Sequence, residues 1–180
     1  MTSENDLIAG KYTPGLPPGE HVLVVSADKY LRLPSGRYCW SRQRIGYARQ
    51  LALSDFNEMM AEEANLLEDI ILLIGIPGSG KTTFIYEMDF FLSKGVLFID
   101  AMNLTPPERR LFIVSARRRG VPIHAVHMDT PLEVCLERNE ERHPSRRVPE
   151  ERIRHMQRRL QAPNELEGFA TIETMSQWRK

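Results

Sequence analysis

Gly75-Ile76-Pro77-Gly78-Ser79-Gly80-Lys81-Thr82 follows the pattern G-x-x-x-x-G-K-[ST], and each fixed position answers a requirement of polyphosphate binding. Glycines let backbone N–H groups turn inward around phosphate oxygens, and a helix beginning near Lys81 adds the positive end of its dipole. Lys81 is placed to reach the β and γ phosphates, and the Thr82 hydroxyl to sit on Mg²⁺. Pro77, Ser79 and Thr83 complete the segment that faces the nucleotide. The bland alternative is a glycine turn without a ligand. Against it stands the context, because the pattern falls between an apolar strand and an amphipathic helix, where a phosphate loop must lie. No Asn-Lys-x-Asp element for reading guanine follows, so the expected nucleotide is ATP with Mg²⁺.

Moving a phosphoryl group also requires a base for the acceptor's proton and positive charge over the group in flight. Asp28 ends an apolar strand at its C-terminal side, where open α/β sheets place ligands. That position fits a base and a loop cap equally. Asp100 ends another strand and reads either as a magnesium partner or as a turn-forming carboxylate. Arg138 and Arg142 lie on a polar segment before Pro149 that could close as a lid. Taken alone, they read as surface arginines.

The elements that position these residues follow from periodicity. Strands are expected at 22 to 27, 70 to 75, 96 to 100 and 122 to 128, with a short fifth at 169 to 173. Ile45, Ala48, Ala52, Phe56, Met59, Met60, Ala64 and Leu67 recur every three or four residues and predict an amphipathic helix over 43 to 66. Phe84, Ile85, Met88, Phe91 and Leu92 give a second helical face that Gly95 closes. Thr105-Pro106-Pro107-Glu108 reads as a capping box opening a helix to 119, and Thr130-Pro131-Leu132-Glu133 as another. Pro149 begins a helix to Leu160. Strands alternating with helices predict an α/β parallel sheet of about five strands covered on both faces.

Composition bounds the rest. With 180 residues, 42% of them hydrophobic, the chain supports one domain, read as 21 to 180 behind an irregular, Pro- and Gly-rich arm over 1 to 20. Zero formal net charge excludes a global pull toward nucleic acid or membrane, so attraction to anions must be local, and arginine clusters supply it. Cys39 and Cys135 lack metal-ligand spacing and read as reduced thiols. The polar start and the absence of a long apolar run predict a cytoplasmic protein without a membrane partner.

Four blocks together resemble the 5′-polynucleotide kinase type of P-loop kinase: Ile74 to Thr83, Val24 to Tyr30, Phe98 to Arg110, and Leu136 through Arg142 to Pro149. The resemblance implies that Asp28 is the general base for a 5′-hydroxyl and Arg142 the lid arginine, with Arg138 beside it. It implies a P-loop kinase-type three-layer fold and a nucleic-acid 5′ end as acceptor. Arg32 and Arg37, with Arg42 and Arg44, are then candidates for acceptor phosphates, and Tyr38 and Trp40 for stacking on a base.

Two departures stand out. Leu31 occupies the place where the family has an acceptor-holding arginine, and Arg32 lies one step on. The Ser-x-Asp strand and its helix precede the phosphate loop, whereas in the family they follow it. Keeping the family's spatial arrangement predicts the strand order 22–27, 96–100, 70–75, 122–128, 169–173, with every crossover still right-handed. Two other readings remain: a kinase for a small-molecule or protein hydroxyl, and an ATP-binding module without catalysis.

Overall fold

The computed structural model describes residues 23–88 and 95–176. The expected arm over 1 to 20, and Phe91 and Leu92 of the expected helical face, lie outside the described residues. Five parallel strands, β1 (Leu23–Ser26), β2 (Asp69–Ile74), β3 (Val96–Asp100), β4 (Ile123–Met128) and β5 (Ile172–Met175), form one sheet in the order β1-β3-β2-β4-β5. This is the rearranged order expected from the sequence. The fold is α/β with an all-parallel sheet of the P-loop kinase type.

Helices cover both faces because the strands are apolar on both. Ile70, Leu72, Ile74, Leu97 and Ile99 point to one side, where α2 (Arg42–Glu62) and α4 (Pro106–Arg118) pack on them. Leu73 and Phe98 point to the other, under Phe84 and Ile85 of α3 (Lys81–Met88). Period-two alternation explains the split. Phe56 of α2 meets Phe112 of α4 edge-on at 5.2 Å, which ties the two helices on that face together. Crossovers β1-α2-β2 and β3-α4-β4 run in one direction along the sheet and share a face, while β2-α3-β3 runs back and takes the other.

A third apolar cluster joins Ile76 and Leu104 to Cys135 of α5 (Leu132–Glu140), to Val148, and to Ile153 and Met156 of α6 (Glu150–Arg159). It roots the lid segment between α5 and α6 beside the phosphate loop.

Several local expectations are corrected. Thr105 makes no side-chain cap bond; Glu108 instead accepts from the Leu104 N–H at 2.9 Å and takes Arg49 and Arg159 as ion partners. Glu108 thereby links α4 to α2 and α6, which three charges favour over a reciprocal box. Pro131, not Thr130, flanks α5, and Thr130 turns away to the phosphate loop. The fifth strand begins at Ile172 rather than 169. A turn of 3-10 helix at Glu165–Glu167, closed by Gly168 at φ 96°, occupies the approach. The helix expected over 43 to 66 stops at Glu62 and continues as a 3-10 turn over Ala64–Leu66.

Candidate functional site

The site lies at the C-terminal edge of the sheet and is built from the ends of β1, β2 and β3. Beyond β2 the chain turns through residues 75 to 80 and enters α3 at Lys81. Gly78 adopts φ 87°, and a Cβ there would collide with the Cys135 carbonyl, so only glycine lets the loop lie against α5. A Cβ on Gly75 would come within 2.5 Å of the Ser79 hydroxyl. The loop is held from outside as well. Gly75 donates its N–H to the Met102 carbonyl at 3.1 Å, Thr130 donates its hydroxyl to the Ser79 carbonyl at 2.9 Å, and Arg138 donates to the Gly78 carbonyl at 3.3 Å.

The Lys81 ammonium donates to the carbonyls of Gly75 (2.9 Å) and Ile76 (3.0 Å). Burial pushes its pKa down, against the pull of Asp100 and Asp28. The Ser79 hydroxyl is fully buried and lacks a hydrogen-bond partner. Such an orphaned group on a glycine-rich turn that enters a helix fits a bound phosphate oxygen.

Thr82 donates its hydroxyl to Asp100 at 3.1 Å. These two hard oxygens, one from the start of α3 and one from the end of β3, fit Mg²⁺, which binds through one or two protein oxygens, phosphate and water. Among the described residues no group of three or more His, Cys, Asp or Glu forms a site for a metal held by protein alone.

Asp28 opens the short helical turn α1 (Asp28–Leu31) directly after β1, its N–H donated to the Ser26 hydroxyl at 3.3 Å. Strand pairing sets Ser26 beside Asp100, so the two carboxylates come from adjacent strand ends. Loss of solvation first, and then repulsion from Asp100, push the Asp28 carboxyl up to about 6, against Lys81, Arg142 and Arg146. The residue is exposed, yet neighbouring protein strips part of the solvation of its carboxyl, and the upward direction follows. Asp100 is raised by the same desolvation, which Lys81, the Thr82 hydroxyl and Arg142 oppose.

Of the residues expected from the sequence, Asp28, Lys81, Asp100 and Arg142 are thus brought within electrostatic reach of one another, and Arg138 touches the loop. Pro77 is buried in the loop, and Thr83 is exposed on the first turn of α3. Arg32 and Arg37 stand exposed on a hairpin closed by an antiparallel bridge between Arg32 and Tyr38, and they are not among the groups that shift Asp28. Tyr38 and Trp40 stack on each other, centroids 5.7 Å apart, and Trp40 also packs against the main core and the lid cluster. Tyr30 donates its hydroxyl to Asp55 at 2.6 Å, and Lys29 pairs with the same carboxylate at 2.8 Å, which fastens α1 to α2 just behind Asp28.

Sequence reasoning missed a buried support. Arg109 is fully buried on α4, paired through two 2.6 Å bonds with Glu167 and donating to the carbonyls of Asn103 and Gln161. Asn103, at φ 48°, donates its amide to the Leu73 carbonyl at 2.8 Å. Glu167, Arg109 and Asn103 therefore form a chain of bonds ending on β2, next to the phosphate loop. The signal was present: Arg109 sits at i−3, i−4 and i−7 of the apolar Phe112, Ile113 and Ala116.

A family model described as an AAA domain matches residues 92–163. The matched stretch takes in β3, α4, β4, α5, the lid and α6, and stops short of the phosphate loop and Asp28. Among curated proteins none matches this chain significantly. With the five-stranded parallel sheet and the loop geometry, the match fits a nucleotide-binding, P-loop kinase-type domain. No helix among the described residues is long and apolar enough to cross a membrane.

Proposed function

We propose that this protein transfers the γ-phosphoryl group of ATP, with Mg²⁺, to the 5′-hydroxyl end of a polynucleotide. The observation that carries the reading is the convergence of Asp28, Asp100, Lys81 and Arg142 at one edge of the sheet, beside a phosphate loop. In this reading the loop amides and Lys81 hold the β and γ phosphates. Asp28 takes the proton of the acceptor hydroxyl as its oxygen attacks the γ phosphorus and the bond to the β–γ bridging oxygen breaks, releasing ADP. Arg142, with Arg138 beside it, offsets charge on the group in flight. Thr82 and Asp100 would hold Mg²⁺, which supplies charge neutralisation between the phosphates.

A carboxyl at about 6 suits a general base, since it is ionised at neutral pH and still basic enough to accept a proton. Acceptor choice rests on the likeness of the four sequence blocks and on the exposed arginines Arg32 and Arg37, which follow Asp28 on the hairpin after α1. The experiment is transfer from γ-labelled ATP to 5′-hydroxyl oligonucleotides, set against nucleosides, sugars and protein. Label at oligonucleotide 5′ ends is expected. Label on another acceptor alone overturns the assignment, and ATP binding without transfer to any of them makes the protein a non-catalytic module.

A further inference from the structure

Arginines are not distributed evenly with respect to their partners. Arg49, Arg109, Arg147, Arg154 and Arg159 each have a carboxylate. Arg117, Arg118 and Arg158 lie in the last turns of α4 and α6, where the helix field favours positive charge. Apart from Arg110 and Arg119 on α4 and at its end, the other described arginines without an ion-pair partner are Arg32, Arg37, Arg42, Arg44, Arg142, Arg146 and Arg152, which lie on the hairpin, the start of α2 and the segment from the end of α5 to the start of α6.

Hairpin and lid meet along a seam. Tyr38 donates its N–H to the Ser145 carbonyl at 3.2 Å, and Trp40 packs into the cluster that includes Val148, Ile153 and Met156. Arg44 donates to the Arg32 carbonyl at 3.5 Å. Cys39 lies in the seam, 3.6 Å from the Ser41 hydroxyl; Ser41 first, and then Arg44 and Arg152 together, lower its thiol pKa, so both arginines flank it. At the other end of the seam Arg142 and Arg146 act on Asp28. Arginines therefore line the seam from the base to the start of α6.

At the start of α2 this placement is costly. Arg42 and Arg44 occupy the first turn of the 21-residue α2, which has no acidic residue there, and Arg152 the first turn of α6. Arg42 and Arg44 face the positive end of a helix dipole with nothing acidic in that turn, a position that disfavours folding, whereas Arg152 shares its turn with Glu150 and Glu151. Like charges at the start of α2, which no acidic residue of that turn offsets, suit a polyanion-binding surface.

We propose that this seam, from Arg146 past Arg37 and Arg44 to Arg152, is a docking track for the phosphodiester chain of the nucleic-acid strand whose 5′ end lies at Asp28. The proposal rests on the polynucleotide reading of the site and adds a surface to it. The acceptor is then gripped along its length, and affinity rises with chain length until the track is filled.

The test is binding of fluorescently labelled 5′-hydroxyl oligonucleotides of increasing length, up to about 16 nucleotides, to the full chain by anisotropy across a salt series. Affinity should increase with length. In the double variant Arg44→Ala/Arg152→Ala the slope of log affinity against log salt should flatten by about 1.4, at ~0.7 for each phosphate of a single strand that is no longer neutralised. Melting temperature should stay about level, because Arg44 leaves a helix start with no acidic residue while Arg152 leaves one that Glu150 and Glu151 already favour. Should that variant unfold, Arg37→Ala frees one phosphate and flattens the slope by about 0.7. Length-independent binding, or an unchanged slope in a folded variant, overturns the track. Transfer to a short acceptor with no gain on lengthening it sinks the track and leaves the proposed function standing. Length- and salt-dependent binding with no transfer does the reverse.

Discussion

In the proposed mechanism Asp28 is the proton acceptor. Replacing it by Asn removes that acceptor, so transfer should fall by about 10²–10⁴-fold while ATP binding, measured by calorimetry, stays near that of the parent. Undiminished transfer would remove Asp28 from the mechanism. The same residue predicts a stability effect of opposite sign. Its folded pKa of about 6 lies above the ordinary carboxylate value, so the folded state binds the proton more tightly than the unfolded chain. The stabilisation this gives is complete below about pH 4 and is lost as pH rises through about 6. Asn at position 28 cannot ionise beside Asp100. At about pH 7.5 the variant should therefore melt above the parent, and the gap should close toward about pH 4; equal melting temperatures across that range would contradict the upward shift of the Asp28 carboxyl. Lys81→Ala should abolish transfer, since residues 75 to 80 carry no other cation.

The elements matter through how they grip the loop. At Gly78, α5 leaves no room for a side chain, and the backbone is left-handed. Gly78→Ala should cost about 1–3 kcal/mol in urea denaturation, and a neutral result would mean that loop and helix are less tightly apposed. Behind the loop, Arg109 and Glu167 connect α4 to the turn before β5. Both side chains are almost wholly withdrawn from solvent, 0% and 6% exposed, so neither charge has water to fall back on. Glu167→Ala leaves a guanidinium buried without its carboxylate, and about 3–5 kcal/mol of stability should be lost. Thermal and urea denaturation of that variant measure it, and a loss below about 1 kcal/mol would show that the arginine finds water instead.

For the molecule as a whole, the sheet order makes one site from segments in an altered sequence order. β1 and α2 precede the loop in the chain, yet β1 lies at the edge beside β3, as the right-handed crossovers require. Ligand linkage gives the global test: Mg²⁺ with ATP at about 100 times its dissociation constant should add about 2.7 kcal/mol to stability. The shift should appear as a raised melting temperature and vanish in Lys81→Ala. No shift at saturating nucleotide would remove the loop from nucleotide binding.

Strands and the glycine-rich loop were legible because they rest on short-range signals, apolar runs and glycine spacing, whereas the strand order came from the resemblance to a kinase family, with which a fixed crossover hand is consistent. Asp28 and Asp100 were legible only as strand-end carboxylates, and the sequence alone left each balanced between a functional and a capping role. What the tertiary structure decided were the contacts between distant segments. Thr105 and Thr130 both carry capping patterns, but neither side chain caps its helix, since Glu108 has stronger partners on two other helices and Thr130 has the Ser79 carbonyl. The stacking of Tyr38 on Trp40 and the pairing of Arg109 with Glu167, 58 positions away, had no signal in local pattern. Local pattern fixes what a backbone segment prefers; which buried charge meets which partner depends on where the chain returns, and only the folded sheet specifies that.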